Sequence, residues 1–401
     1  MKPIQALNRS SRLKVERREE MVRRRTYRWC AIGTGLVVAA LVTIPPAYGS
    51  GSRQPSSVAK VTKKQVNVVS LLQPLQNPWV VNNVRFQKAV AKALGINLSI
   101  VTDQNSPDSN VAAMRSIIAK HPDGILFDPI SQAAGLADAR LIEADKIPAV
   151  AEDRLVKPNI SQYHGKYLIA QVTQQNKTWG YATMNSLISQ GVKKIVTIMP
   201  PHGIPTIEEL WQGAQQALAQ HPDVKVLQQT WATQDREHAF ATMQQYLVKY
   251  GPGSIDGLFA IGSTGAFGAI QAIKAAHRQG QIKIATADDD PDVIHAIETG
   301  ELKTTFGTHW SDGAFGLVVL YDYLQGHKPL SRQPEFRLFK IDKSIAAAYA
   351  TRFLQQVPFR PCEIRKLSLT YNPQAKLPWV MNNWYRTWNT PSRGLPPGQR
   401  C

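Results

Sequence analysis

Cysteine is scarce in this chain, with only Cys30, Cys362 and Cys401 among 401 residues. That excludes a disulfide scaffold and a cysteine-rich zinc module. Long apolar runs are missing too. The uncharged stretch 29–44 has sixteen residues, about 24 Å as a helix against a hydrocarbon core of ~30 Å, so an uncleaved membrane anchor is the weaker reading. No Gly-x-Ser-x-Gly elbow surrounds Ser263, and the chain has no P-loop, no Gly-x-Gly-x-x-Gly after its first apolar run and no His-Glu-x-x-His. No nucleophile–base pair stands out, which disfavours an enzyme. Acidic residues are outnumbered 29 to 47, a balance that suggests nucleic acid until its distribution is read. Residues 1–28 carry a net +7 and residues 351–401 another +7, leaving +4 for everything between. The basicity belongs to the ends, and no basic recognition module is visible, so no nucleic-acid partner is expected.

What is present begins with an export signal. The basic run Arg23-Arg24-Arg25-Thr26-Tyr27-Arg28 precedes the uncharged stretch, and Pro45-Pro46 and the small-residue site Ala47-Tyr48-Gly49 follow. Basic, apolar and small-residue segments in that order read as a signal peptide over 1–49. Residues 50–64 are rich in Gly, Ser and Lys and read as a linker. Cys362 and Cys401 would survive cleavage, and in an oxidising compartment they either pair or stay free.

From Gln65 strand-like and helix-like segments alternate with short connections. The first series has strand-like 66–72, 98–101, 124–127 and 147–151 between helix-like 78–94, 110–120 and 136–144. A second series starts near Lys193, with strand-like 195–199, 224–227, 257–261, 282–286 and 302–306. Its helices place Leu210, Ala214, Ala217 and Leu218 on one face, and Ala239, Met243, Tyr246 and Leu247 on another. Helix-like 314–324 closes the series at Gly326. The alternation predicts an α/β fold of doubly wound parallel sheets, and roughly ten strands suit two sheets better than one.

Ligands of open parallel sheets lie beyond the carboxyl ends of the strands. Those ends carry Asn77-Pro78-Trp79, Asp128-Pro129, Asp153-Arg154, His202-Gly203, Gly262-Ser263, Asp288-Asp289-Asp290 and Thr308-His309. Carboxylates, a guanidinium and a flat indole suit a small hydroxylated ligand. The aspartates 288–292 do not make a calcium loop, since Val293 and Thr299 stand where Gly and Glu would be required. Asp289, Asp290 and Asp292 are expected to cap a helix. His202 and His309 have no partners at metal-ligand spacing, so neither a metal nor a cofactor is expected.

Over about residues 65–343 the chain resembles the ribose/galactose-type periplasmic binding proteins, whose lobes recur in lactose-repressor-like regulators. The resemblance rests on Asn77-Pro78-Trp79, Asp153-Arg154 and Asp288 in order at matching strand ends, with the Gly213-Ala214 helix and the Phe259-Ala260 strand at similar intervals. It implies two lobes with a ligand cleft between them, an N-terminal lobe of 65–174 and 309–333 and a C-terminal lobe of 175–308 and 334–343. It implies ligand contacts from Asn77, Trp79, Asp153, Arg154 and Asp288, and the strand-end rule adds Asp128, Thr308 and His309. The sequence departs from the pattern where 207–211 lacks an arginine, where Gly262-Ser263 replaces Asn-Asp, and where Thr308 replaces a glutamine. The first lobe keeps the sugar-binding set and the second only its aspartate.

The resulting expectation is a monomeric periplasmic solute-binding protein for a sugar-like ligand, serving an ABC-type permease. The alternative is a sensor read by a membrane histidine kinase. Residues 344–401 form an extension beyond the resemblance, whose Trp379, Trp384, Tyr385 and Trp388 either wrap onto the lobes or dock a partner. N-terminal sequencing of protein from its native host should find a mature chain starting near Ser50; retention of 29–44 would favour the anchor.

Overall fold

A computed structural model of the chain describes residues 65–231, 235–357 and 359–376. The first apolar run forms β1 (Val66–Leu72), in which every residue but Asn67 is buried. A strand buried on both faces belongs inside a sheet, and β1 pairs in parallel with β2 (Ile96–Thr102) on one side and β3 (Gly124–Phe127) on the other. Between β1 and β2 runs α1 (Pro78–Leu94). Asn77 caps it by accepting from the Trp79 amide at 3.0 Å, Pro78 fits its first turn, and Gly95 ends it at φ 79°.

The chain continues through α2 (Pro107–Ile118), β3, α3 (Gln132–Asp145), β4 (Ala149–Glu152) and β5 (Leu168–Gln174). It then crosses to α4 (Asn176–Ile188) and β6 (Lys194–Met199), followed by α5 (Pro205–Ala219), β7 (Lys225–Trp231), α6 (Arg236–Lys249), β8 (Gly257–Ala260), α7 (Ser263–Ala275), β9 (Lys283–Thr286) and α8 (Pro291–Thr299). The remaining elements are β10 (Thr304–Gly307), α9 (Asp312–Leu324), β11 (Glu335–Phe336), β12 (Phe339–Asp342), α10 (Ala346–Tyr349) and α11 (Pro361–Leu367). Two parallel sheets result, a six-stranded one of order β11-β5-β4-β3-β1-β2 and a four-stranded one of order β7-β6-β8-β9; β10 and β12 pair separately and antiparallel. In each sheet the order reverses beside its first strand, β1 next to β3 and β6 next to β8. That is where an open parallel sheet leaves a crevice.

The chain passes between the sheets after β5, before α9 and after β11. The last crossing falls between Phe336 and Phe339, a few residues later than the resemblance implies. Gln171 and Thr173 of β5 donate their amides to the carbonyls of Arg332 and Pro334, which keeps this segment on the six-stranded sheet as far as Phe336.

Beyond β12 the extension packs back on the body. Tyr349 and Phe353 are fully buried, and Arg85 of α1 donates to the carbonyls of Phe353 and Leu354. Phe359 stacks on Phe86 with centroids 5.2 Å apart. Asp322 of α9 accepts from the Ser368 hydroxyl, the Leu369 and Thr370 amides and the Thr370 hydroxyl at 2.5–3.1 Å. Cys362 is disulfide-bonded, and its partner lies outside the described residues. Trp379, Trp384, Tyr385 and Trp388 lie outside them as well.

One helix crossing is made backbone to backbone. Helices α4 and α5 meet through glycines: a methyl at Gly180 would land on the Leu210 carbonyl, and one at Gly213 on the carbonyl of Lys177. Backbone atoms cannot move aside as a flexible side chain can. Gly213→Ala should therefore destabilise the protein by about 2–3 kcal/mol. Urea unfolding checks this, with a lower midpoint at unchanged slope as the expected result; a wild-type midpoint would mean that the helices separate freely.

Candidate functional site

The carboxyl ends of β3 and β4 bring the first group together. Asp128 follows β3 and is fully buried. Its Oδ2 accepts from Gln73 Nε2 at 2.7 Å and lies 3.8 Å from an Arg154 terminal nitrogen. Arg154 Nε is 3.9 Å from Asp153 Oδ2, so one guanidinium stands between two carboxylates. Asp153 also accepts from Gln174 Nε2 at 3.3 Å, at the end of β5. Its carbonyl takes hydroxyl donors from Thr173 at 3.0 Å and from Thr206 of α5 at 3.1 Å. The second of these bonds runs from one lobe to the other.

The carboxyl ends of β9 and β10 supply the second group. Asp288 Oδ2 accepts from the Ser263 amide at 2.7 Å, and its Oδ1 lies 3.3 Å from His309 Nε2. His309 is buried. Its ring lies 6.0 Å from Trp79 with planes 25° apart, and 5.3 Å from Trp179 of α4. Trp79 comes from the first lobe and Trp179 from the second, so the imidazole bridges indoles of both.

Three of these residues adopt left-handed backbone conformations: Asp153 (φ 55°), Asp288 (φ 94°) and Thr308 (φ 79°). Such angles cost a non-glycine residue of order 1–3 kcal/mol and persist only where surrounding structure enforces them, typically at functional sites. Among the described residues only seven non-glycine positions have positive φ. Three of the seven fall at strand ends expected to bind ligand.

Burial sets the charge states. It pushes the Asp128 carboxyl up to about 7, against the opposing pull of Arg154 and with help from Asp153. Burial, reinforced by Asp290, Asp289 and Asp153, pushes Asp288 up to about 8 although 26 % of its side chain remains exposed. Burial drives the His309 imidazole down to about 4, so the ring is neutral at pH 7. Several polar atoms in this region have no hydrogen-bond partner within the described protein: Trp79 Nε1, Asp128 Oδ1, Gln174 Oε1, Trp179 Nε1 and His309 Nδ1. Buried donors and acceptors normally find partners.

The structure thus connects Trp79, Asp128, Asp153, Arg154, Asp288 and His309. Asn77 is exposed and contributes through its cap on α1. The Thr308 hydroxyl is turned onto the Gly307 carbonyl, so this residue acts through its backbone. The expected cap cluster divides. Asp290 caps α8 at the Val293 amide, and Asp292 occupies the first turn. Asp289 does not cap; it is buried and accepts from the Thr308 amide, Trp310 Nε1 and the Tyr349 hydroxyl. Leu210, on the apolar face expected of its helix, is wholly in the core beneath α4. Sequence reasoning missed Gln73, Gln174, Trp179 and Thr206. Trp179 and Gln174 lie on α4 and β5, two of the elements it left unassigned. A groove lined by Ile270, Ile284 and Lys303 lies at the opposite end of β9 and β10, away from this chemistry.

Comparison with known proteins gives one coherent set. Residues 68–328 match the family described as the periplasmic binding protein domain. The ribose import binding protein of Salmonella typhimurium is 24% identical over 271 residues, covering 67% of this chain and 88% of that protein. A xylitol-binding protein of Mycolicibacterium smegmatis is 26% identical over 230 residues, 57% of this chain and 62% of that one. An ABC transporter solute-binding protein of Agrobacterium vitis, solved with α-D-tagatopyranose, superposes with a TM-score of 0.67 at 19% identity, covering 72% of this chain and 99% of that one.

The raised carboxyls predict how stability responds to pH. Asp128 and Asp138 are each pushed to about 7 and Asp288 to about 8 by burial, against about 4 in an unfolded chain. The native state therefore binds more protons below pH 8, and the stability these groups contribute is lost as pH rises through 7–8. His309 opposes only below about 6.5, where the unfolded ring gains a proton that the buried one refuses. Urea unfolding of ligand-free protein should give higher stability at pH 6.5 than at pH 8.5. The reverse order would mean that these carboxyls are ionised in the native state.

Proposed function

We propose, from the premise that this chain belongs to the periplasmic binding protein family, that it captures a small hydroxylated solute between its two lobes and hands it to an ABC-type permease. Its relatives include ribose and fructose import binding proteins and an ABC transporter solute-binding protein. Among the described residues no helix is long and apolar enough to cross a membrane, in keeping with a receptor that works outside the bilayer.

The observation that carries the reading is the meeting of two chemically matched groups at the carboxyl ends of two sheets. Asp128, Asp153 and Arg154 come from one lobe and Asp288 from the other, with His309 at the crossing between them and Trp79 against the imidazole. Paired carboxylates accept from adjacent hydroxyls, and a guanidinium donates in a fork. An indole face covers the C–H surface of a ring or chain. Because the contributions come from both lobes, a bound ligand would join them, and closure by hinge motion at the three crossings follows.

Native mass spectrometry of protein purified without refolding should find a retained small solute. Calorimetry with ribose, xylitol, tagatose and their deoxy analogues then tests the site. Removing one member of the hydrogen-bonded set leaves the others unpaired, so Arg154→Ala should weaken the best ligand by roughly ten- to hundredfold. Trp79→Ala should weaken binding through lost contact area with less effect on selectivity. If Arg154→Ala bound the best ligand as tightly as wild type, the cleft would have to lie elsewhere in the fold.

A further inference from the structure

The charge balance of the cleft singles out a class of solute. Three carboxylates, Asp128, Asp153 and Asp288, are served by one guanidinium. Arg154 stands at 3.8 Å from Asp128 and 3.9 Å from Asp153, which places it between those two. Asp288 has no cation of its own among the described residues. Its partners are the Ser263 amide and the His309 ring, and burial keeps that ring neutral at pH 7. Nearby on α5, Glu209 accepts from Asn176 Nδ2 at 3.0 Å and faces Lys177, so that carboxylate is answered locally and is left out of the count.

Beside Asp288 lies an aromatic wall. Trp79 and Trp179 flank His309, and the indole nitrogens of both are buried without an acceptor. A desolvated carboxylate must either take a proton or face a cation. Indole faces favour a cation too, because the ring quadrupole is negative above its plane. A neutral sugar supplies hydroxyls but no cation.

We infer that the preferred solute carries a protonated amine on a hydroxylated scaffold, an amino sugar or amino polyol, with its ammonium group at Asp288 beside the Trp79–His309–Trp179 wall. The inference rests on the proposed solute-binding function and narrows it. Asp128, Asp153 and Arg154 hold the hydroxyls, while the ammonium supplies the charge that Asp288 lacks. The groups acting on Asp288 are Asp153 from β4, Asp289 and Asp290 from its own strand end, and neutral His309; none of them is positive at pH 7. Since Asp288 is protonated in the empty site near neutrality, an ammonium displaces that proton to the buffer.

The test is calorimetry at pH 7 on matched pairs: D-glucosamine and D-glucose, D-galactosamine and D-galactose, glucamine and sorbitol. In at least one pair the amine should bind tenfold or more tightly than its hydroxyl counterpart, with an enthalpy that depends on the ionisation heat of the buffer. In Asp288→Asn, checked for folding by circular dichroism, the amine-to-hydroxyl ratio should fall toward one. Neutral members binding as tightly as the amines would overturn the amine inference and leave solute capture standing. Failure of all six to bind at millimolar concentration would count against both. A ratio unchanged in Asp288→Asn would overturn the placement of the ammonium. Should that variant fail to fold, the wild-type pairs still decide the matter.

Discussion

The candidate site hangs on a buried carboxylate that belongs to neither of its two groups. Asp289 is almost fully inaccessible, and burying a charge is costly unless donors surround it. Three do: the Thr308 amide at 2.9 Å, Trp310 Nε1 at 2.8 Å and the Tyr349 hydroxyl. They come from the end of β10, the turn before α9 and the C-terminal extension. By holding the Thr308 amide, Asp289 enforces the left-handed turn that sends His309 back against Asp288. By holding Trp310, it fixes the start of α9, which lies over β3, β4 and β5 of the other lobe. Burial raises this carboxyl, and the three hydrogen bonds oppose the rise.

The strand end across the cleft is enforced in the same way. Asp153 keeps its left-handed backbone because its amide bonds the Val172 carbonyl while its own carbonyl takes hydroxyls from Thr173 and Thr206. Behind it Glu152 is wholly buried, accepting from Asn83 and Gln87, and Gly313 at the start of α9 sits so close that a side chain there would strike all three. Each carboxylate of the cleft therefore has a rigid backing made of polar groups rather than apolar packing. Such a backing fixes direction, because hydrogen bonds are angular where dispersion is not. A binding site gains affinity from groups that need no reordering when the ligand arrives.

Much of this was legible in the sequence, for identifiable reasons. The alternation of apolar runs gave nine of the twelve strands among the described residues, since parallel strands buried on both faces read as continuous β-branched segments. The strand-end rule then pointed to Asp128, Asp153, Arg154, Asp288 and His309, which the structure connects. What stayed hidden shares one cause. The strand β5 is wholly buried yet carries Gln171, Thr173 and Gln174, so its apolar run is broken by residues whose partners lie far along the chain. Helix α4 packs on α5 through glycine and therefore lacks a clear apolar stripe. Asp289 looked like a cap because its neighbours Asp290 and Asp292 are placed as one. Its real donors lie 19, 21 and 60 residues away, and no local pattern reports contacts at that distance.

The extension shows why the boundary of a family match is not the boundary of a fold. The match ends at residue 328, yet the segment that follows anchors on both lobes. On one side Tyr349 bonds Asp289, and α10 packs on α8. On the other, Arg85 and the Ala93 carbonyl of α1 hold Leu354 and Arg365, and Asp322 of α9 gathers residues 368–370. A segment fixed at both ends resists relative rotation of what it joins, because one anchor set must break before the other moves. The proposed capture by lobe closure needs such rotation, and three covalent crossings alone leave it soft. The extension adds a fourth, non-covalent link, and that link runs through the carboxylate that shapes the Asp288–His309 turn. Rotating the lobes and loosening that turn are thus opposed by the same bonds, which ties the shape of the site to the arrangement of the lobes.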